Sequence, residues 1–93
     1  MTTLHIEHPV TDFPTWRAAF DRFGPARADA GVRRFRIQRP LDDDHRVLVE
    51  LDFDEAAAAT AFLGFLRDVV WAVPENSPAL AGPPETRILR RAD

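Results

Sequence analysis

Two stretches of this chain can be laid against each other in a register that satisfies both of their faces at once. Residues 32–39 alternate, with Phe35 and Ile37 on one side and Arg34, Arg36 and Gln38 on the other. Residues 46–53 alternate likewise, with Val47, Val49, Leu51 and Phe53 opposed to Leu48, Glu50 and Asp52. The link between them, residues 40–45, is polar and rich in Asp, which predicts a hairpin. Centred on residue 43, the hairpin sets Arg36 opposite Glu50, Arg34 opposite Asp52 and Gln38 opposite Leu48. Ile37 then meets Val49, and Phe35 meets Leu51. Both charged pairs have opposite signs, as cross-strand neighbours prefer.

The rest of the chain extends this pattern. Residues 3–10 alternate, with Leu4 and Ile6 on one face and Thr3, His5 and Glu7 on the other. Asp12 is placed to cap a helix whose first turn tolerates Pro14. Phe13, Trp16, Phe20 and Phe23 form its apolar stripe, and Gly24-Pro25 kinks or ends it, with a short continuation through Ala28. Ala30-Gly31 is a turn. Asp54 is the expected cap of a second helix, and the alanines at 56–59 favour its start. Uniform helical spacing puts Ala58, Phe62, Phe65, Leu66, Val69 and Val73 on one face and Trp71 on the side away from them. Residues 74–85, with Pro74, Pro78, Gly82, Pro83 and Pro84, read as a loop, and residues 86–91 as a short last strand.

The order is therefore βαββαβ in one domain over residues 1–93. Two helices covering one sheet face through right-handed crossovers give a ferredoxin-like α+β fold, an antiparallel sheet in the order 4-1-3-2. A domain of 93 residues builds only a modest core, so association would help it.

Composition narrows the chemistry. The chain has no Cys, Lys or Tyr, and Ser77 is its only serine. Disulfides, thiolate chemistry, lysine Schiff bases and tyrosine acid–base chemistry are excluded, and a serine triad is disfavoured. A net charge of -3 argues against nucleic-acid binding. There is neither a leader-like start nor an apolar run of spanning length, so a cytoplasmic protein with no membrane partner is expected.

What remains is histidine, carboxylate and arginine, and these gather on the sheet face opposite the helices. His5 shares that face with Glu7 and, across the sheet, with Arg36 and Glu50. His5 is the candidate general base, histidine being the side chain poised near neutral pH. The alternative is a histidine in a polar interior or at a subunit contact. Arg36 and Glu50, with Trp16 and Phe62 of the helices, are candidate substrate contacts. The charged face itself reads as a dimer interface, a pocket wall for an anionic molecule, or a solvated surface. His5 and Glu7 supply at most two converging ligands and His8 points away, so no metal site is expected; nor is a bound redox cofactor. The Asp42-Asp43-Asp44 run lacks the spacing of a calcium loop.

The chain resembles the dimeric α+β barrel superfamily, and within it the antibiotic-biosynthesis-monooxygenase-like group. The resemblance runs through Val10-Thr11-Asp12-Phe13, Trp16 and Phe20, Ala30-Gly31-Val32, Leu51-Asp52-Phe53-Asp54 and Ala61-Phe62-Leu63. It implies a homodimer whose sheets face each other, with a small-molecule pocket between sheet and helices or at the barrel mouth. Members include cofactor-independent oxygenases of polyketide-like aromatics, haem-degrading enzymes and isomerases. The haem-degrading members bring Asn, Trp and His together on a pocket wall. Here the only asparagine, Asn76, falls in the proline-rich loop and no histidine falls on a predicted helix, which disfavours that activity.

Two functions follow as expectations. One is a small dimeric oxygenase or isomerase of a hydrophobic aromatic metabolite, working without a cofactor on a substrate deprotonated to a carbanion or phenolate. The other is a non-catalytic small-molecule-binding or regulatory module. A third, RNA binding, needs aromatics on the open sheet face, which has none.

Overall fold

The alternating runs become the strands of one antiparallel sheet. The computed structural model describes residues 1–93. Its elements are β1 (Thr2–Pro9), α1 (Phe13–Arg22), α2 (Gly24–Ala30), β2 (Arg34–Gln38), β3 (Arg46–Phe53), α3 (Ala56–Phe65) and β4 (Glu85–Arg90). The strand order is β2-β3-β1-β4, the ferredoxin-like order expected, read from the opposite edge. The hairpin register is the one that charge and apolar pairing require: Arg34 opposite Asp52, Arg36 opposite Glu50, Gln38 opposite Leu48.

Strict alternation sends one face of each central strand into the core. Leu4 and Ile6 of β1 and Val47, Val49, Leu51 and Phe53 of β3 are buried against Ala59, Phe62 and Leu63 of α3. Each fully buried aliphatic or aromatic side chain is worth about 1.5–3 kcal/mol, so these two strands and α3 dominate stability. Phe35 lies on the same face but is 46% exposed. It belongs to an edge strand, where Phe20 packs edge-on to its ring with centroids 5.1 Å apart and the Arg27 guanidinium lies 5.4 Å from the ring centre.

Asp12 caps α1 as expected, its Oδ2 accepting the Thr15 backbone N–H at 2.9 Å. Phe13, Trp16 and Phe20 stack along the helix with centroids 5.6 and 5.1 Å apart. Gly24-Pro25 interrupts the helix, and α2 runs two residues past the expected end. It closes at Gly31, whose φ of 90° is the left-handed conformation that glycine tolerates.

Two local expectations are corrected. Asp54 is not the cap of α3, because Arg33 takes its carboxylate in an ion pair; Glu55 occupies the cap position without a side-chain bond. The second helix also does not keep a uniform period. After Phe65 it continues as a π-helical turn, Leu66–Val70, in which the Trp71 N–H reaches back to the Leu66 carbonyl at 2.7 Å. A π turn holds one extra residue and shifts every later side chain around the axis. Val70 is consequently the buried valine, at 8% exposure, whereas Val69 is 39% exposed. Trp71, expected to face away, swings toward the sheet side.

The proline-rich segment folds back onto the sheet. Leu80 bridges Val10, the Thr11 N–H donates to the Ala79 carbonyl at 2.9 Å, and the Ala81 N–H donates to the Pro9 carbonyl at 3.1 Å. No helix is long and apolar enough to cross a membrane.

Candidate functional site

This folding back closes one end of the space between sheet and helices and leaves a cavity of about 70 Å³. The sheet contributes Ile6, His8, Val49 and Leu51; α1 and α2 contribute Trp16, Phe20 and Arg27; the second helix contributes Phe62, Leu66, Val70 and Trp71; and the loop contributes Asn76, Ser77, Ala79 and Leu80. Both tryptophans of the chain are on its wall. The lining is overwhelmingly apolar with a few polar groups, the composition typical of a small-molecule site.

Among the polar groups His8 is the most constrained. It is 3% exposed, and its ring lies 6.2 Å from that of Trp16. Its Nδ1 is 2.9 Å from the Pro9 carbonyl. A carbonyl only accepts, so Nδ1 carries the proton and donates, and Nε2 is left as a lone pair with no partner within the chain. Burial pulls the His8 pKa below the ordinary 6.5, with Arg46 adding to the effect and the Pro9 bond opposing it. The ring is therefore neutral near pH 7, a cavity-lining imidazole with one nitrogen free to accept a proton.

Arg27 is also buried. Its Nη1 donates to the Phe20 carbonyl at 2.6 Å, and its guanidinium carbon sits 3.6 Å from the centre of the Phe20 ring. Asn76 reaches the wall through the loop. Its amide donates to the Val69 carbonyl at 2.8 Å, an acceptor within the π-helical turn, which fixes the loop to the helix. Ser77 donates to the Val73 carbonyl at 3.3 Å.

The residues proposed from sequence divide between two places. Trp16 and Phe62 line the cavity. His5, Arg36 and Glu50 lie on the opposite, open face of the sheet. There His5 Nδ1 is 3.2 Å from Glu50 Oε2, and Nε2 is 3.8 Å from Glu7 Oε1. Arg36 donates to Glu50 Oε1 at 2.6 Å and Arg34 to Asp52 Oδ2 at 2.8 Å. The Arg36 bond, helped by the one to His5, holds the Glu50 carboxyl below its usual pKa, and Arg34 with Thr3 does the same for Asp52. Arg46 spans Glu7 at 2.6 Å and Glu85 at 3.2 Å, which relieves the like-charge pairing of those two acids across β1 and β4. This face holds a network of ion pairs; the cavity holds the aromatic rings. Sequence reasoning missed His8 and Arg27. The available signal for His8 was strand parity, which puts it beside Leu4 and Ile6 on the core face, where a titratable ring is unusual.

No protein-family model matches the chain, and no curated protein matches its sequence. Solved structures do match over nearly the whole length. A proposed antibiotic biosynthesis monooxygenase from Nitrosomonas europaea superposes with a TM-score of 0.71 at 17% identity, covering 98% of each chain. SnoaB, a cofactor-independent oxygenase from Streptomyces nogalater, gives 0.71 at 21% identity over 99% of this chain and 93% of its own. A dimeric ferredoxin-like protein from an uncultured marine organism gives 0.63 at 14% identity, with 99% and 96% covered. The chain therefore has the fold of the antibiotic-biosynthesis-monooxygenase-like proteins that its sequence resembles, within the ferredoxin-like class.

Proposed function

We propose that the protein is a small enzyme, an oxygenase or isomerase without a bound cofactor, acting on a hydrophobic aromatic molecule held between the sheet and the helices. The observation that carries this reading is His8: a neutral, buried imidazole on the wall of an aromatic cavity, its Nδ1 locked on a carbonyl and its Nε2 without a partner in the chain. Nε2 takes a proton from an acidic C–H or phenol of the ligand, and the ring then holds it as an imidazolium disfavoured by its surroundings. That instability makes the ring ready to return the proton, as an isomerase needs. In the oxygenase reading the same deprotonation produces the electron-rich anion that reacts with dioxygen. SnoaB, with the same fold, is a cofactor-independent oxygenase, which supports this direction.

His5 is the competing base. Its ring is held by Glu50 but lies on the other side of the sheet from the aromatic wall. The test is a pair of substitutions on an assayed aromatic substrate. His8→Ala is expected to lower turnover by about 100-fold or more, and His5→Ala to leave it within a few-fold. The reverse pattern would move the chemistry to the open face. Binding without turnover, unchanged by either substitution, would favour the non-catalytic module. We further propose that the open sheet face pairs with a second copy of the chain.

A further inference from the structure

Arg27 is the only buried arginine in the chain, at 8% exposure, and no carboxylate pairs with it. Buried charges are ordinarily paired, and arginine cannot escape the cost by losing its proton. The acid whose charge favours it, Asp21, is engaged by Arg17 at 3.0 Å, and Arg17 itself opposes the Arg27 charge. One of its five N–H groups caps the end of α1 at the Phe20 carbonyl, and the Phe20 face offsets part of the charge. A capping role accounts for that single bond. It does not account for a guanidinium without an acidic partner, its remaining N–H groups unbonded within the chain, on the wall of a largely apolar cavity that also holds a neutral histidine.

We infer that the cavity takes an anion, a single-ring aromatic carboxylate, with its acid group on the Arg27 guanidinium and its ring against Trp16, Phe20 and Trp71. This rests on the cavity being the ligand site, as proposed above, and adds the charge and size of the ligand. A guanidinium presents parallel N–H donors that match a carboxylate. Size limits the ring system. The cavity is about 70 Å³, against the roughly 150 Å³ of an engineered apolar cavity that binds benzene. At less than half that volume the cavity excludes a fused polycycle and takes even a single ring only in part, the rest of the ligand lying in its open side.

The two indole N–H groups report on the cavity directly, since both tryptophans line it. The full-length ¹⁵N-labelled protein is titrated with benzoate and, separately, with benzamide, its neutral counterpart. Benzoate is expected to shift both indole signals and to bind at least about 10-fold more tightly than benzamide, as a charge-assisted bond warrants. Arg27→Gln should abolish that preference while leaving benzamide binding in place. Should that variant not fold, the benzoate–benzamide comparison on the unaltered protein decides alone. Equal binding of the two would overturn the assignment to Arg27 and leave the cavity as a ligand site. Shifts confined to Arg34, Arg36 and Arg87 on the open face would overturn it by sending the anion elsewhere. Indole signals unmoved by either molecule would overturn both this inference and the reading it rests on.

Discussion

His5 and His8 are three residues apart on one strand, and that odd spacing sends them to opposite faces of the sheet. One ring joins a surface ion-pair network; the other is buried among aromatic side chains. Burial gives His8 a measurable signature. Its folded pKa lies below the ordinary 6.5 of the unfolded chain. Above that value both states carry a neutral ring and His8 adds no pH dependence. As the pH falls below it, the unfolded chain binds the proton first, so stability declines until the folded pKa is passed as well. Urea midpoints at about pH 7.5 and about pH 5.5 should show this loss in the unaltered protein and much less of it in His8→Leu. An identical decline in the two would mean that His8 is not buried as a neutral ring. The candidate site was half legible in the sequence at this scale. Trp16 and Phe62 could be assigned from helical stripes because an apolar stripe must face the sheet. Strand parity could place His8 on the core face but not give it a role, and Arg27 carried no such signal, because the partners of both, the Pro9 and Phe20 carbonyls, belong to the backbone.

Among the elements, the β2–β3 hairpin was legible in full. Its register was over-determined, since charge pairing on one face and apolar pairing on the other demand the same alignment. Arg36→Glu should cost about 0.5–1 kcal/mol by opposing Glu50, and adding Glu50→Arg should recover part of it, because a partly exposed pair is worth no more than that. A double variant no better than the sum of the two singles, measured by chemical denaturation, would show that the pair does not couple. The π-helical turn was not legible. Nothing in Leu66-Arg67-Asp68-Val69-Val70 marks an extra residue in the turn, and a uniform period assigns the wrong valine to the core. The consequence is easily tested. Val70→Ala removes two buried methyl-sized groups and should cost about 1.5 kcal/mol, whereas Val69→Ala should cost less than about 0.5 kcal/mol. The opposite ranking would restore the continuous α-helix. This turn also matters to the site, since the phase shift is what brings Trp71 to the cavity and sets the Val69 carbonyl within reach of Asn76.

At the scale of the whole molecule, one sheet face is covered by helices and the other is bare. The bare face carries Arg34, Arg36, Arg46 and Arg87 against Glu7, Glu50, Asp52 and Glu85, so its fixed charges cancel, and Leu48 and Leu89 interrupt them with apolar surface. A surface kept only for solvation needs no such balance; a face that meets a copy of itself does, because net charge of either sign would repel. Sedimentation of the unaltered protein at micromolar concentration should therefore return a mass near twice 10.5 kDa. Leu48→Arg adds an unpaired charge to this face without touching the core, because Leu48 projects opposite to Val47 and Val49. It should give a monomer whose far-ultraviolet circular dichroism matches that of the unaltered protein. A monomeric unaltered protein would refute pairing altogether. A Leu48→Arg variant that remains dimeric would move the interface away from this face, leaving the His5–Glu50–Arg36 network open to solvent.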